Sequence, residues 1–273
     1  RNQKLKRGLI CLNIVNDTDL SDIAQDFSRE CLDLATRYAT AADVPLQTQT
    51  RLAVNFVTAT IHALRENDAS EIIIGLHRRM HKGDSFLGKF AQGLIDGMGR
   101  QITIVSMNIP ANTIRKIVVL VPEKAEYEKG FYRWINRVAR MAEDLGCLIE
   151  FHGHNDTIPI IQAYMNERHE SARSQYVPLD SWDGFIAISK TLNPEHLLIV
   201  VTARRGGRSW QSSMNKTTQI LADRFSNVSL MLIYPDQQEK NNEATLFERA
   251  SIEAATTQTH IGKWLSRMFG KIG

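Results

Sequence analysis

The sequence predicts an α/β protein made of two tandem doubly wound parallel-sheet modules, the first of which lacks its opening strand and helix. Two observations predict this fold. Short apolar segments of strand length alternate with longer amphipathic segments up to about Pro235, and this alternation requires right-handed crossovers and a sheet covered on both faces. In addition, a segment late in the first half of the chain is repeated late in the second half.

The first module, assigned to residues 1–110, is predicted to alternate strands and helices, beginning and ending with a strand. Its elements, in chain order, are Gly8 to Val15, Leu20 to Ala42, Leu46 to Val54, Asn55 to Glu66, Glu71 to Leu76, Ser85 to Met98 and Gln101 to Met107. The first of these helices carries its apolar residues at helical spacing, namely Ile23, Phe27, Cys31, Leu34 and Tyr38.

The second module, assigned to residues 115–236, adds one strand and one helix at its start. Its strands are predicted at Arg115 to Pro122, Cys147 to His152, Gln175 to Pro178, Leu197 to Thr202 and Val228 to Tyr234. Its helices are predicted at Glu126 to Leu145, Ile158 to Glu167, Asp180 to Ser189 and Gln211 to Phe225. Residues 237–273 are assigned to a C-terminal amphipathic helical tail.

Composition limits the class of protein. The 273 residues are 43% hydrophobic and 23% charged, with a formal net charge of +3, which suits two ordinary domains rather than a disordered or nucleic-acid-coating chain. Cys11, Cys31 and Cys147 are widely separated and form no CxxC pair, so neither a disulfide framework nor a zinc site is predicted, and a reducing compartment fits best. No apolar run is long enough to span a membrane.

The repeat aligns Gly75 to Lys89 with Thr202 to Lys216 without a gap. It pairs Arg78 with Arg205, Ser85 with Ser212 and Lys89 with Lys216, and in both copies a strand precedes the segment and a helix follows it. In this register the first module begins at the second strand of the second module. The chain also opens with RNQKLKR rather than methionine, and we expect it to be a fragment of a longer protein, although an engineered start would look the same.

Both repeated segments are predicted to bind a phosphate group. A loop that leaves the carboxyl end of a parallel strand and enters a helix presents free N–H groups and the positive end of the helix dipole to an anion. Basic residues add charge and glycines permit close backbone approach. The predicted ligand residues are Gly75, Arg78, Arg79, Gly83, Ser85, Gly88 and Lys89 in the first loop, and Thr202, Arg204, Arg205, Gly206, Gly207, Ser212, Asn215 and Lys216 in the second. The alternative is a pair of solvated basic loops.

Other motifs favour neither catalysis nor metal binding. The segment Gly83 to Phe90 nearly matches the phosphate-loop pattern GxxxxGK[ST] of NTPases. However, Phe90 occupies the last position, where that loop needs a hydroxyl to bind magnesium. His152, His154 and Asp156 are spaced for a metal, yet a strand would point both histidines to the same face, so ordinary polar side chains at a strand end are the favoured interpretation. No GxSxG, HExxH or close carboxylate pair is present. No catalytic residue and no metal site are predicted.

The pattern of the last residues predicts a basic amphipathic helix. Apolar residues recur along one stripe, at Ile261, Trp264, Leu265, Met268, Phe269 and Ile272, with Lys263, Arg267 and Lys271 between them. Such a helix can lie on an anionic membrane surface. Packing against the body of the protein or a second copy is the commoner role of such a helix and is favoured here.

These residues resemble a known family. The spacing G-x2-G-x9-G-[ST] after the fourth strand is similar to the ATP-binding motif of universal stress proteins, and it is kept here as Gly75-x2-Arg78-x9-Gly88-Lys89 and Thr202-x2-Arg205-x9-Asn215-Lys216. The phrases LNIVNDTD, LATRYATAADVPLQTQTRLAV and ASEIIIGLHRR further resemble the tandem stress-protein region that follows the membrane domain of bacterial sodium/proton antiporters.

The resemblance implies a Rossmann-like sheet of order 3-2-1-4-5, so a module without its first strand has a gap in the middle of its sheet. It also implies a nucleotide ligand, which is ATP in the family. Arg78 and Arg205, at the second glycine position, instead favour a differently placed phosphate, such as that of AMP or a cyclic nucleotide. The expected function is a non-catalytic, nucleotide-sensing and dimerising cytosolic region of a cation/proton antiporter. One alternative is a free-standing tandem universal stress protein that binds ATP or AMP, and another is a structural dimerisation scaffold with empty loops.

Overall fold

The computed structural model describes residues 8–17, 22–76 and 86–238. Within these ranges the chain divides into two compact units, the first containing residues 8–17, 22–72 and 86–98 and the second containing residues 73–76 and 99–238. Of the described helices, none is both long enough and apolar enough to cross a membrane. The predicted amphipathic tail, from residue 239 onward, lies outside the described residues, and so does its apolar stripe.

The first unit contains a small parallel sheet and three helices. The strands are β1 (Leu9–Val15) and β2 (Leu46–Leu52), and the helices are α1 (Asp22–Ala41), α2 (Phe56–Glu66) and α3 (Gly88–Gly97). β1 and β2 pair in parallel from Leu9 opposite Leu46 to Val15 opposite Leu52. The Asn55 side chain accepts a hydrogen bond from the Thr58 amide, which caps the start of α2 where the sequence predicts it.

The second unit is built on a larger sheet. After β3 (Glu71–Gly75), which spans the division between the units, its strands are β4 (Gln101–Ser106), β5 (Lys116–Leu120), β6 (Leu148–Gly153), β7 (Ser174–Pro178), β8 (His196–Val201) and β9 (Ser229–Tyr234). Its helices are α4 (Phe131–Leu145), α5 (Ile158–Arg168) and α6 (Thr217–Arg224), with 3-10 segments at Ala111–Thr113, Ala125–Tyr127, Trp182–Lys190 and Ser212–Lys216.

The seven strands of this sheet lie in the order β3-β4-β9-β8-β5-β6-β7. β5 through β9 pair with one another in parallel, whereas β4 pairs antiparallel with β9. The central strand β5 is almost wholly buried, with Ile117 to Leu120 at most 1% exposed. A mainly parallel sheet of this kind, with strands and helices alternating along the chain, confirms the predicted α/β fold class.

Helices α4 and α5 cover one face of the sheet and form its main core. Trp134, Ile135 and Ile161 from the helices pack with Ile149 and Phe151 from β6, all without measurable exposure. The two helices also touch each other, since the Tyr132 and Tyr164 rings lie 4.8 Å apart. Right-handed crossovers from β5 to β6 and from β6 to β7 place both helices on the same face.

The strands of the first module differ from the predicted arrangement. β1 and β2 form a sheet of their own, while β3 and β4 belong to the sheet that contains the second module's strands. The physical reason is topological, because in the second module β5 joins β6 to β8, and the described part of the first module contains no counterpart of β5.

Two predicted helices of the second module begin later than the sequence pattern indicates. Lys124 adopts a left-handed conformation with φ of 64°, so the chain turns through a short 3-10 segment and α4 begins only at Phe131. The segment after β8 likewise runs through a 3-10 turn before α6 begins at Thr217. The predicted helix Asp180 to Ser189 is a 3-10 segment, Trp182–Lys190.

Candidate phosphate-binding site

The candidate site of the second unit lies at the point where the sheet changes direction. β5 and β8 are neighbours in the sheet, but the chain leaves β5 toward β6 on one side and leaves β8 toward β9 on the other. The two connections diverge at the carboxyl ends of these strands, which is the position where parallel α/β proteins bind ligands. The loop that follows β8, residues 202–211, lies at this edge, as the sequence predicts.

The backbone of this loop contains amide groups that have no backbone acceptor in the described chain. Gly206 has a φ of 84°, a left-handed conformation that favours glycine. The Thr202 amide donates to Ile233 O and the Gly207 amide donates to Arg204 O. Within the described chain, the amides of Arg205, Gly206 and Arg208 donate to no backbone carbonyl. Such amides, at the carboxyl end of a parallel strand, can donate to an anion.

Exposed cationic side chains belong to the same loop and to the 3-10 segment that follows it. Arg205, Arg208 and Lys216 are exposed, and the Arg205 guanidinium donates to the Asn215 side-chain oxygen at 3.3 Å. Ser212, Asn215 and Lys216 belong to the 3-10 segment that follows the loop, and all three are exposed. The structure therefore joins two of the predicted ligand residues, Arg205 and Asn215, by a direct hydrogen bond.

Arg204 occupies a different environment from its neighbour Arg205. Its side chain is buried, and its guanidinium donates to Pro235 O at 2.5 Å and to Arg100 O at 2.6 Å. Burial lowers the pKa of this guanidinium from its ordinary value, while the nearby Asp236 carboxylate opposes that change. Arg204 thus fastens the loop to the chain that follows β9, a structural contact that the sequence pattern does not distinguish from ligand binding.

A carboxylate from the other connection binds the same loop. Glu128, between β5 and α4, is buried, and its Oε1 accepts hydrogen bonds from the Ser209 amide at 2.9 Å and the Ser209 hydroxyl at 2.8 Å. A Cβ at Gly207 would come within 2.8 Å of the same oxygen, so a side chain there would displace the Glu128 carboxylate. The loop therefore already holds an internal anion on one side. No motif in the sequence marks either Glu128 or Ser209 for this role.

The first repeated loop is described only at its two ends. Gly75 ends β3 in the second unit, and Gly88, with a φ of 73°, begins α3 in the first unit beside the exposed Lys89. The predicted ligand residues Arg78, Arg79, Gly83 and Ser85 lie outside the described residues. Their part of the prediction stays a prediction.

The histidines considered as metal ligands have other partners. His152 Nε2 lies 2.7 Å from Glu150 Oε1, and Lys116 Nζ lies 2.6 Å from the other oxygen of the same carboxylate. His154 pairs with Asp156 at 3.4 Å. In residues 8–17, 22–76 and 86–238, no three histidine, cysteine or acidic side chains are grouped to hold a metal ion.

The Glu150 ion pair predicts how stability depends on pH. Burial alone would raise the pKa of Glu150, but hydrogen bonds from Lys116 and His152 outweigh burial and lower it from its ordinary 4.5. Burial, assisted by Lys116, lowers the pKa of His196 from its ordinary 6.5. Glu150 and His196 both bind protons more readily in the unfolded chain than in the folded chain. Each therefore contributes to the free energy of unfolding at a pH above its ordinary pKa, and this contribution is lost as the pH falls below that pKa.

We expect the urea midpoint of unfolding to decrease from pH 7.5 to pH 5.5 through His196, and further toward pH 4 through Glu150. His196→Gln should remove most of the decrease in the urea midpoint between pH 7.5 and pH 5.5 that arises from His196. It should leave the decrease in the midpoint below pH 4.5 unchanged. A midpoint that rises as the pH is lowered would contradict these pKa directions.

The comparison with solved structures gives the fold of the chain, whereas the comparisons of its sequence give no family. No family model matches the chain, and no curated protein matches it. Among solved structures, it is similar to a universal stress protein from Archaeoglobus fulgidus DSM 4304, with a TM-score of 0.53 and 15% identity over 84% of this chain and 86% of that one. It is also similar to a protein of unknown function from Pseudomonas aeruginosa PAO1, with a TM-score of 0.51 and 12% identity over 84% of this chain and 92% of that one. The chain therefore has the fold found in a universal stress protein.

Proposed function

We propose that this chain is a non-catalytic regulatory module that binds a phosphate-bearing nucleotide, ATP, AMP or a cyclic nucleotide, at the loop after β8. The observation that carries the proposal is the loop itself. It combines amides at Arg205, Gly206 and Arg208 that donate to no backbone carbonyl with exposed cations, at the carboxyl end of a parallel strand beside the change of direction in the sheet. This combination suits a phosphate better than any neutral ligand.

The contacts around the loop support binding rather than turnover. The buried acidic side chain at the site, Glu128, accepts two hydrogen bonds from Ser209, and the buried Arg204 donates to backbone carbonyls. Neither group is placed to activate water or to exchange protons with a substrate, since each is held by the protein itself. A phosphate group that binds beside Glu128 lies close to a carboxylate that the protein holds in place, which suits a site whose occupancy by nucleotide is regulated.

We propose further that the module is the cytosolic regulatory region of a sodium or other cation/proton antiporter, with the membrane transport domain in the same parent chain. The sequence phrases that resemble such antiporters support this placement, and the universal stress protein fold agrees with it. The same proposal includes a homodimer formed through sheet edges. It also includes contact of the C-terminal apolar stripe with the membrane surface, through Ile261, Trp264, Leu265, Met268 and Phe269.

A thermal-shift series tests the binding proposal. The chain is heated with ATP, ADP, AMP or a cyclic nucleotide, and the same series is run on Arg205→Ala and on Arg224→Ala. Arg224 is an exposed arginine in the last turn of α6, outside the loop, so it controls for the loss of one positive charge. A nucleotide at a hundred times its dissociation constant should add about 2.7 kcal/mol to the stability of the folded chain.

We expect at least one nucleotide to raise the melting temperature of the wild type and of Arg224→Ala, and to do so much less in Arg205→Ala. Binding without turnover predicts that the added nucleotide is recovered unchanged. Absence of a shift with every nucleotide would leave a scaffold whose role is assembly, and release of ADP or phosphate would overturn the non-catalytic part of the proposal.

A further inference from the structure

Two of the three cysteines of the chain lie in the first unit, on neighbouring elements. Cys11 lies in β1 and Cys31 in α1. The third, Cys147, is buried in the second unit, immediately before β6. All three are free thiols. Neither Cys11 nor Cys31 is among the predicted ligand residues of the phosphate loops, so the two thiols of the first unit invite a separate explanation.

Helix α1 packs on β1 through a defined pair of polar side chains. The Asn13 side-chain amide donates a hydrogen bond to the Ser28 hydroxyl. Ser28 belongs to the half-buried face of α1, together with Leu32. Because successive strand residues point to opposite faces of a sheet, Cys11, two residues before Asn13, directs its side chain to the face that α1 covers.

The direction of the chain places Cys31 beside Cys11. Helix α1 connects the end of β1 to the start of β2, which is parallel to β1, so α1 runs antiparallel to β1. From Asn13 to Cys11 the strand covers about 6.6 Å toward its own start. From Ser28 to Cys31 the helix covers about 4.5 Å in the same direction, and residues three apart are neighbours on a helix surface. The two thiols therefore lie at nearly the same level, next to the hydrogen bond between Asn13 and Ser28.

The two thiols also interact electrostatically. Burial raises the pKa of the Cys11 thiol, and a negative charge on Cys31 raises it further. Such an interaction agrees with the packing, because charges more than about 10 Å apart near a surface are largely screened. The two side chains differ in access, since Cys31 is exposed whereas Cys11 is half-buried. A reagent in solution therefore meets Cys31 first.

We infer that Cys11 and Cys31 form a redox-sensitive pair, which a low-molecular-weight disulfide converts into a disulfide bond between β1 and α1. The inference does not depend on the proposed nucleotide site, which lies in the second unit. It agrees with the reducing compartment that the cysteine pattern favours, because the disulfides that form in such a compartment are usually transient responses to an oxidant.

The reaction consists of two thiol–disulfide exchanges. The Cys31 thiolate attacks one sulfur of the reagent, the sulfur–sulfur bond of the reagent breaks, and one reagent thiolate leaves and takes up a proton. The Cys11 thiol then loses its proton and attacks the sulfur of Cys31, and the second reagent thiolate leaves and is protonated in turn. Two protein thiols are oxidised to one disulfide, and one reagent disulfide is reduced to two thiols.

Oxidation of the reduced chain with oxidised glutathione tests this inference. Free thiols are counted after denaturation, and any crosslink is located by mass spectrometry of unreduced peptides. Three variants are treated in the same way. Cys147→Ser removes the buried third thiol, and Cys11→Ser removes the thiol that attacks second. The double variant Cys31→Ser, Asp33→Cys moves the exposed thiol to another exposed position of α1, about 200° around the helix axis.

We expect the wild type to lose two of its three free thiols and to form a crosslink between Cys11 and Cys31 within one chain. Cys147→Ser should form the same crosslink. Cys11→Ser should instead retain one glutathione on Cys31, because no second thiol displaces it. The double variant should retain glutathione on its relocated cysteine and form at least about tenfold less crosslink, since an intramolecular reaction depends on whether the geometry allows the two groups to meet.

Four results would overturn the inference. The first is a wild type that loses no thiol, and the second is a wild type that keeps glutathione on Cys31 without forming the crosslink. The third is a crosslink that involves Cys147 or joins two chains. The fourth is equal crosslinking in the wild type and the double variant, because the flexibility of the chain rather than the packing of α1 on β1 would then explain the disulfide.

Discussion

Replacement of Trp134 by alanine is expected to lower the free energy of unfolding by about 3–5 kcal/mol, the usual cost of deleting a buried aromatic side chain. Trp134 lies on the inner face of α4 without measurable exposure. Phe131 packs against it edge to face, with the ring centres 5.6 Å apart. The alanine variant leaves a cavity between α4 and the sheet, and it removes the contacts that hold the helix on β5 and β6.

Trp134→Phe is the matched control for this substitution. In the described chain the Trp134 indole N–H has no hydrogen-bond acceptor, so phenylalanine keeps most of the apolar contact and loses no hydrogen bond. We expect Trp134→Phe to cost less than half as much as Trp134→Ala in urea unfolding followed by circular dichroism. A loss below about 1 kcal/mol for Trp134→Ala would mean that α4 does not form part of the core.

Replacement of Glu128 by glutamine is expected to raise the affinity for ATP at least about tenfold, which corresponds to about 1.4 kcal/mol. The carboxylate of Glu128 binds the loop at Ser209, one residue from the exposed Arg208. A phosphate bound to the neighbouring amides is repelled by that charge, and two unit charges a few ångströms apart near a protein surface interact by several kcal/mol. Glutamine keeps an oxygen that can accept from the Ser209 amide and hydroxyl, so the loop should retain its shape.

Glu126→Gln is the control for the change in charge. Glu126 lies on the same connection, but its carboxylate accepts from the Thr157 hydroxyl at 2.8 Å rather than from the loop. Calorimetric titration with ATP should give a much larger gain in affinity for Glu128→Gln than for Glu126→Gln. Equal gains would indicate a general effect of net charge, and a weaker affinity in Glu128→Gln would place the phosphate away from Ser209.

Most of the fold could be predicted from the sequence because hydrophobic periodicity is a local property. The strand at Leu9–Val15 and the helix at Phe56–Glu66 lie where their patterns place them. The partners of β3 and β4 could not be predicted, since pairing depends on which strands are available to each edge. The late start of α4 could not be predicted either, because the left-handed turn at Lys124 is not marked by glycine or asparagine.

The candidate site was predictable in position but not in detail. The gapless repeat located the loop after β8, and Gly206 occupies the left-handed conformation that such a loop requires. Sequence alone did not separate the exposed Arg205 from the buried Arg204. It also could not indicate that Glu128 reaches Ser209, because that contact joins residues 81 positions apart.

The most direct test of the central proposal is a crystal structure of the chain, grown with an excess of each proposed nucleotide in turn, ATP, AMP and a cyclic nucleotide. We predict intact nucleotide in the second unit, with phosphate oxygens within hydrogen-bond distance of the amides of Arg205, Gly206 or Arg208 and close to the Arg205 guanidinium. A loop without nucleotide, with Glu128 still bound to Ser209, would contradict the account. So would a nucleotide bound elsewhere on the second unit, or ADP in place of ATP.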